Sequence, residues 1–244
     1  MSYGLLNLPA PLFGWFDDLL AIALPPTARL VVWAVLGAVV SMWLYYILTP
    51  QKRIGEAKQA ALDARRRLNA FDGEFADAGP LIRAQFTTSF QHIGLLLPGT
   101  ILASLPVLCL LIWMDTAYGH AFPPPGEAPA ITTEPASVTA QWLMPDDAGD
   151  AATLRVQDAS GQTIAHFEMD APVPVIHKRQ WWNWLIGNPI GYLPEQAPVD
   201  SVHVDLPSPS YLPFGPGWMR FWATPFLAVL FVLSLLIHRF TRIN

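Results

Sequence analysis

Residues 50–97 read PQKRIGEAKQAALDARRRLNAFDGEFADAGPLIRAQFTTSFQHIGLLL and decide how the rest of the chain is interpreted. This stretch holds seven of the fourteen Lys and Arg residues, and long apolar runs flank it on both sides. A short loop rich in Lys and Arg between two membrane spans stays in the cytoplasm, because these residues are difficult to translocate. The stretch therefore predicts the topology of the whole chain.

The same stretch has helical periodicity. Apolar residues recur with the a/d spacing of a heptad, which is typical of a coiled-coil seam. They are Ile54, Ala57, Ala61, Ala64, Leu68, Phe71 and Phe75. Gly79-Pro80 then ends this helix and favours the start of another, and apolar residues at helical spacing follow at Phe86, Phe90, Ile93 and Leu97. We predict a cytoplasmic helical hairpin over residues 50–92. A solvated charged helix without a partner is the alternative.

Composition indicates an integral membrane protein. Hydrophobic residues make up 52% of the 244 residues and charged residues 14%, whereas about a quarter of a soluble domain is charged. The net charge of −5 is segregated, with basic residues in the central loop and at the C-terminus, so nucleic acid is not expected as a partner. Cys109 is the only cysteine, which excludes an intrachain disulfide and a thiolate metal site.

Three apolar runs are long enough to cross about 30 Å of hydrocarbon. We predict transmembrane helices at residues 28–49, 93–115 and 217–238 and a cytoplasmic tail at 239–244. Arg29 is expected to snorkel to the headgroups at the outer end of the first span, and Pro225 to bend the third. Pro98 and Pro106 would interrupt the second span, with nearby hydroxyls replacing the lost backbone hydrogen bonds.

Two segments are predicted to lie outside the membrane. Residues 1–27 lack Lys and Arg and are expected to form an interfacial helix, with Asp17 and Asp18 opposite its apolar face. Residues 116–216 contain four alternating runs, SVTAQWL, ATLRVQ, QTIAHFEM and SVHVDL, which predict a small extracytoplasmic β-sandwich-like domain with a hairpin turn at residues 158–161. Its Trp-rich segment, residues 180–194, is predicted to rest on the outer leaflet through Trp181, Trp182 and Trp184; burial in a core is the alternative.

The motifs of common enzymes are missing from the sequence. It has no HExxH zinc motif, no GxSxG nucleophile motif and no phosphate-binding glycine loop. No predicted span carries an Asp or Glu in its interior, so a relay for ion-coupled transport is not indicated. We expect neither catalytic residues nor a metal site, cofactor or small-molecule substrate.

The order of these parts resembles the YidC-type membrane insertase superfamily, which includes archaeal YidC-like proteins and the insertase subunit of the endoplasmic reticulum membrane complex. The resemblance is carried by PLFGWF at 11–16, VVWAVLGAVVSMWLYYILTPQKRI at 31–54 and FTTSFQHIGLLLPGTILASLPVLCLLIWM at 86–114, with residues 218–239 as the third core helix. It covers a little over half of the chain and leaves the extracytoplasmic domain unexplained.

The resemblance implies a hydrophilic groove that opens to the cytoplasm and holds the polar part of a client. Bacterial members place an arginine five residues before the proline that closes the first core span, and this chain has Tyr45 there. The groove would then be polar through other side chains. These are Ser41, Tyr45, Tyr46, Gln91, His92, Thr100 and Ser104. Ordinary interhelical hydrogen bonding of the hydroxyls is the alternative.

Two functions follow as hypotheses. The first is an insertase-like factor that receives hydrophobic client segments and assists their insertion or assembly, aided by a cytoplasmic basic cluster that we define as Lys52, Arg53, Arg65, Arg66 and Arg67. That cluster could instead bind acidic lipid. The second is a non-catalytic scaffold subunit that docks a partner membrane complex through the extracytoplasmic domain. Either would act in a bacterial inner membrane, with the N-terminus outside and the C-terminus in the cytoplasm.

Overall fold

The computed structural model describes residues 4–136, 138–144 and 151–241. In these ranges the chain is mostly helical. The helices are α1 (Ala10–Ala21), α2 (Pro26–Leu48), α3 (Gln51–Asn69), α4 (Gly79–Tyr118), α5 (Gly217–Arg220) and α6 (Ala223–Thr241). The strands are β1 (Ile131–Glu134), β2 (Thr139–Leu143), β3 (Thr153–Gln157), β4 (Thr163–Glu168), β5 (Val175–His177) and β6 (Ser201–Val204). The last three residues of the predicted tail, 242–244, lie outside the described residues.

Helices α2, α4 and α6 are long and apolar enough to cross a membrane, which confirms the prediction of three candidate spans. Helix α4 has 40 residues and is roughly 60 Å long at 1.5 Å per residue. It has no break at residues 92–93, where we divided the predicted hairpin from the second span. The helix also continues through Pro98 and Pro106.

The third span begins differently from the prediction. We expected one helix from residue 217 to 238, but α5 ends at Arg220, and Phe221 is extended with ψ 147° before α6 starts at Ala223. Pro225 therefore lies in the first turn of α6, where its missing N–H has no helical acceptor to lose. The prediction that Pro225 bends the helix was wrong for this reason.

The chain divides into two compact units within its long helices. We call Met1–Val31 with Leu108–Phe226 the sheet unit, and Val32–Val107 with Leu227–Asn244 the helical unit.

The sheet unit contains two three-stranded antiparallel sheets, with strand orders β1-β6-β5 and β2-β3-β4. Alternate side chains of the strands point into one shared core, as the alternation predicted. Leu154 and Val156 of β3 and Val202 of β6 are fully buried in it. All four predicted runs contain a strand. Sequence reasoning missed β1 and β5, because they have only four and three residues and lie in proline-containing segments.

The predicted hairpin turn lies between β3 and β4. The Asp158 carboxylate accepts hydrogen bonds from the Ser160 hydroxyl at 2.6 Å, the Ser160 N–H at 2.8 Å and the Gln162 N–H at 2.9 Å. These bonds hold the pKa of Asp158 below its ordinary value, and the bond from the Ser160 side chain has the largest effect. Gly161 supplies the positive φ of 83° that closes the turn.

In the helical unit, small residues bring α2 and α4 together. The Ser41 hydroxyl donates to the Ala103 carbonyl oxygen at 2.9 Å, and Ala38 and Ala103 are buried. A Cβ atom on Gly99 would collide with the Thr49 side chain. Small residues at such crossings let two helix backbones approach closely and pack without the need for bulky side chains.

Candidate functional site: an exposed apolar stripe on α4

An apolar stripe follows one face of α4 in the helical unit. Its five side chains recur at spacings of three and four residues, so they lie one above the other on the helix. They are Phe86 (61% exposed), Phe90 (68%), Ile93 (51%), Leu97 (54%) and Ile101 (52%). Phe86 and Phe90 stack with ring centroids 6.4 Å apart. The stripe is about 22 Å long at the rise of an α-helix.

The position of this stripe along the chain matters more than its hydrophobicity. Phe86 and Phe90 belong to the segment predicted to be cytoplasmic, whereas Leu97 and Ile101 belong to the second predicted span. Because α4 is one uninterrupted helix, the apolar face continues from the charged segment into the span.

Two of the predicted groove residues lie on the face that carries the stripe. Thr100 and Ser104 follow Leu97 at helical spacing. The Thr100 hydroxyl donates to the Leu96 carbonyl at 3.0 Å, and the Ser104 hydroxyl donates to the Ile101 carbonyl at 2.8 Å. The prolines at 98 and 106 free the carbonyls of residues 94 and 102 instead, so these hydroxyls do not replace the bonds that the prolines remove.

The other predicted groove residues of α2 are placed elsewhere. Ser41 bonds to α4 through the Ala103 carbonyl, which is the interhelical role that we left open for it. Tyr46 lines an apolar cavity of about 480 Å³ with Met42 and Trp43 of α2 and Ile237 of α6.

The remaining predicted groove residues are Tyr45, Gln91 and His92. Tyr45 is half-buried, and its carbonyl accepts the Thr49 N–H at 3.1 Å. Gln91 and His92 follow Phe90 directly, and each further residue turns the side chain by about 100° around the helix. The structure therefore brings two of the seven predicted groove residues onto one face.

The basic cluster lies on α3. Its side chains are exposed, and Arg66 pairs only loosely with Asp63, at 3.5 Å. Arg67 and Asp63 line a cavity of about 340 Å³ with Leu81 and Thr88 of α4. Exposed guanidinium groups are free to meet an anionic surface, and an exposed ion pair of this kind contributes little stability.

The heptad pattern matches burial along α3 and at Phe71, and it fails at Phe75. Ile54 and Ala64 are buried, and Ala57, Ala61 and Leu68 are half-buried. Phe75, which the pattern included, is 86% exposed. It lies in a 3-10 turn, Phe75–Ala78, because α3 ends at Asn69 and the seven-residue period cannot extend past the end of the helix.

In the sheet unit, an ion pair that sequence reasoning missed fixes α1. Arg29 donates to the Asp17 carboxylate, and the Tyr118 hydroxyl donates to the other oxygen of that carboxylate. The Arg29 guanidinium lies 5.5 Å from the centre of the Tyr118 ring. Both charged side chains are largely buried, with 11% of Asp17 and 17% of Arg29 exposed. The prediction that Arg29 snorkels outwards was therefore wrong, because Asp17 neutralises it within the protein. Asp17 does lie opposite an apolar face, as predicted, but its pairing with Arg29 was not foreseen.

Two further hydrogen bonds extend this network. The Tyr211 hydroxyl donates to the Tyr118 carbonyl at 2.8 Å, and the Thr27 hydroxyl donates to the Tyr211 carbonyl at 2.9 Å. Burial raises the pKa of Tyr211 to about 12, an effect that Arg29 opposes and Asp17 reinforces. An Asp and an Arg twelve residues apart, on either side of a Pro-Pro turn, were the only signal in the sequence for this network.

With Asp17 turned inwards, the opposite face of α1 is apolar and exposed. It consists of residues at helical spacing, Leu12 (63% exposed), Trp15 (64%), Leu19 (51%) and Ile22 (81%). Phe13 packs inwards, with its ring 5.7 Å from that of Trp113. The apolar residues of α1 that we predicted to share one face therefore fall into two sets. Some, such as Phe13, pack against the protein, and others, such as Trp15, are exposed.

The predicted Trp anchors all belong to one 3-10 turn, Trp181–Trp184. Trp181 (83%) and Trp184 (59%) are well exposed and Trp182 (38%) less so, so they are not core residues. Buried Asn183 fixes the turn: its Oδ1 accepts the Gln180 N–H at 2.6 Å, and its amide donates to the Ile186 carbonyl at 3.0 Å.

The N-terminal segment packs against this Trp-rich segment. The Leu6 N–H donates to the Leu185 carbonyl at 2.9 Å, and the Gly187 N–H donates to Asn7 Oδ1 at 2.7 Å. A Cβ on Gly4 would lie 2.5 Å from the Gly187 nitrogen, so only glycine allows this approach. The contact places the exposed residues of α1 and of the Trp turn in one unit.

Within the described ranges, no three His, Cys, Asp or Glu side chains lie close enough together to hold a metal ion. Comparison of the chain with models of protein families, with curated proteins and with solved structures finds no match. The resemblance to the YidC-type superfamily therefore stays a prediction.

Proposed function

We propose that this protein is a membrane insertase-like factor that guides hydrophobic client segments along α4 into the bilayer. The observation that carries the proposal is the exposed apolar stripe, which extends from the charged segment into a candidate span. Removing the apolar surface of a client segment from water is favourable by about 25 cal/mol per Å². The stripe would allow this burial to begin before the client reaches the hydrocarbon.

The surroundings of the stripe support the same reading. Thr100 and Ser104 place hydroxyls along its inner part, where a client's polar groups would pass. The basic cluster on α3 can attract an anionic surface within a Debye length of about 8 Å. Neither contribution needs a nucleotide or a cofactor.

The proposal requires a particular topology. The three candidate spans would place α1 and the sheets outside and α3 in the cytoplasm of a bacterial inner membrane, because the Lys and Arg residues concentrate around α3. The placement of the Trp turn and of the exposed face of α1 on the outer leaflet is part of this proposal.

Site-specific photocrosslinking tests the proposal. A photoreactive residue at Phe90 or Leu97 should capture translating membrane proteins, and one at Gln91, which is adjacent but off the stripe, should not. Replacing Arg65, Arg66 and Arg67 by Gln should reduce capture at Phe90. Equal capture at Phe90 and Gln91 would argue against a client path along the stripe.

A scaffold function is the second candidate, and the exposed Trp181 and Trp184 in the sheet unit favour it. In that case the probes on α4 should crosslink to lipid or to one constant partner, whether or not translation is active. The arginine replacements should then change nothing.

A further inference from the structure

The sheet unit contains a cavity of about 460 Å³ whose polar lining none of the proposed roles uses. Its lining changes character along one face of α4. Leu111 and Ile112 are apolar, and one turn later Asp115 and Thr116 are polar. Asp115 is also the first charged residue after the apolar run of the second span. A surface that changes from apolar to polar within one turn matches the boundary between acyl chains and headgroups.

The cavity offers hydrogen-bond acceptors. The Asp115 carboxylate is exposed, and among the described residues no hydrogen-bond donor or cation contacts it. His177 also lines the cavity, and its Nδ1 lies 2.6 Å from the Lys178 carbonyl oxygen. Because a carbonyl only accepts, Nδ1 carries the proton, and Nε2 of the neutral ring is an acceptor. A carboxylate and an imidazole nitrogen select a ligand with several N–H donors.

Aromatic walls favour a cation, whether it is a primary or a quaternary ammonium. Trp182 and Trp222 line the cavity, and indole faces attract cations. Trp222 is 4% exposed. Its indole N–H is itself buried, so the side chain contributes an apolar wall and no hydrogen-bond donor that a ligand in the cavity can reach.

We propose that this cavity binds the headgroup of a phospholipid with a primary ammonium group. The ammonium binds at Asp115, with His177 as a second acceptor. The acyl chains leave along Leu111 and Ile112. A quaternary ammonium has no N–H to donate, and an anionic headgroup would be repelled by Asp115. The inference requires α4 to lie in a membrane but does not require client insertion.

Lipid retention by the purified full-length protein tests this site. Native mass spectrometry would compare phosphatidylethanolamine, phosphatidylcholine and phosphatidylglycerol with identical acyl chains. We expect about tenfold stronger retention of the ethanolamine lipid, the effect of one charge-assisted hydrogen bond. Equal retention of the three lipids would overturn the proposal, and insertion assays would be unaffected by that result.

Variants localise the effect. Asp115→Asn should reduce retention of phosphatidylethanolamine to the level of phosphatidylcholine, while Asp170→Asn, at an exposed carboxylate in the same unit, should leave it unchanged. Unchanged selectivity in Asp115→Asn would contradict the site. Soluble glycerophosphoethanolamine that binds as tightly as the lipid would contradict its assignment to lipid.

Discussion

The Tyr118 hydroxyl at the end of α4 donates a hydrogen bond to the Asp17 carboxylate of α1, 101 residues earlier in the chain. Because Arg29 at the start of α2 binds the same carboxylate, one buried charge connects three helices. This connection turns the exposed apolar face of α1 away from the other elements of the sheet unit. The orientation of α1, the proposed interfacial helix, thus depends on its polar contacts with α2 and α4.

Removing this charge should destabilise the protein. Asp17→Asn leaves the Arg29 guanidinium buried without its counter-charge, and we expect a loss of about 3 kcal/mol in unfolding free energy. Asp18→Asn, at the exposed neighbouring position, is the matched control and should cost less than about 0.5 kcal/mol. Denaturant titration in mild detergent measures both. A double variant with Arg29→Gln should lose less than the sum of the single losses, and additive losses would show that the pair is not coupled.

The raised pKa of Tyr211 predicts that the folded protein loses stability at alkaline pH. Its folded-state pKa of about 12 exceeds the unfolded value of about 10, so its contribution to stability is complete below pH 10. That contribution is lost as the pH rises from about 10 to 12, because the unfolded state releases its proton first. Tyr211→Phe should weaken this dependence and also lower stability by about 1 kcal/mol through loss of the bond to Tyr118. A wild-type curve identical to that of the variant above pH 10 would refute the prediction.

Two glycines on α4 form a matched pair that tests the contact between α2 and α4. Gly99→Ala places a Cβ against Thr49, whereas nothing lies within 4 Å of a Cβ at Gly94. Thr49 cannot easily turn away, because its hydroxyl is bonded to the Tyr45 carbonyl. We expect Gly99→Ala to lower the Tm, with a cost of about 1–3 kcal/mol, and Gly94→Ala to leave it unchanged or raise it. Equal effects of the two changes would rule out close packing at Gly99.

Single-cysteine labelling tests the proposed topology. In a Cys109→Ser background, Glu74→Cys and Ser160→Cys are both exposed positions. A membrane-impermeant thiol reagent should label position 160 from outside intact cells and position 74 only after lysis. Spin labels at Leu12 and Trp181 should be accessible to oxygen in the bilayer, as expected for side chains at the interface. External labelling of position 74 would reverse the proposed orientation.

Sequence reasoning located elements well where the signal was local. Three apolar runs and four alternating runs are present as helices and strands, because length and periodicity depend on neighbouring residues. The network of Asp17, Arg29 and Tyr118 was missed because its hydrogen bonds join distant parts of the chain. The groove was implied by the resemblance and filled in by residue type, whereas the hydroxyls of Ser41, Thr100 and Ser104 each donate to a backbone carbonyl. The helical spacing of Phe86, Phe90, Ile93 and Leu97 was recognised in the sequence, but the absence of a break between the predicted hairpin and the span was not.

Insertion into liposomes tests the central claim most directly. Purified full-length protein would be reconstituted, a membrane protein translated in its presence, and the protease-protected fraction of that client measured. We expect a larger protected fraction with wild-type protein than with empty liposomes, a loss of this gain in Phe86→Glu/Phe90→Glu, and no loss in the off-stripe control Gln91→Glu. A protected fraction that is the same with wild-type protein, with the stripe variant and with empty liposomes would contradict the account.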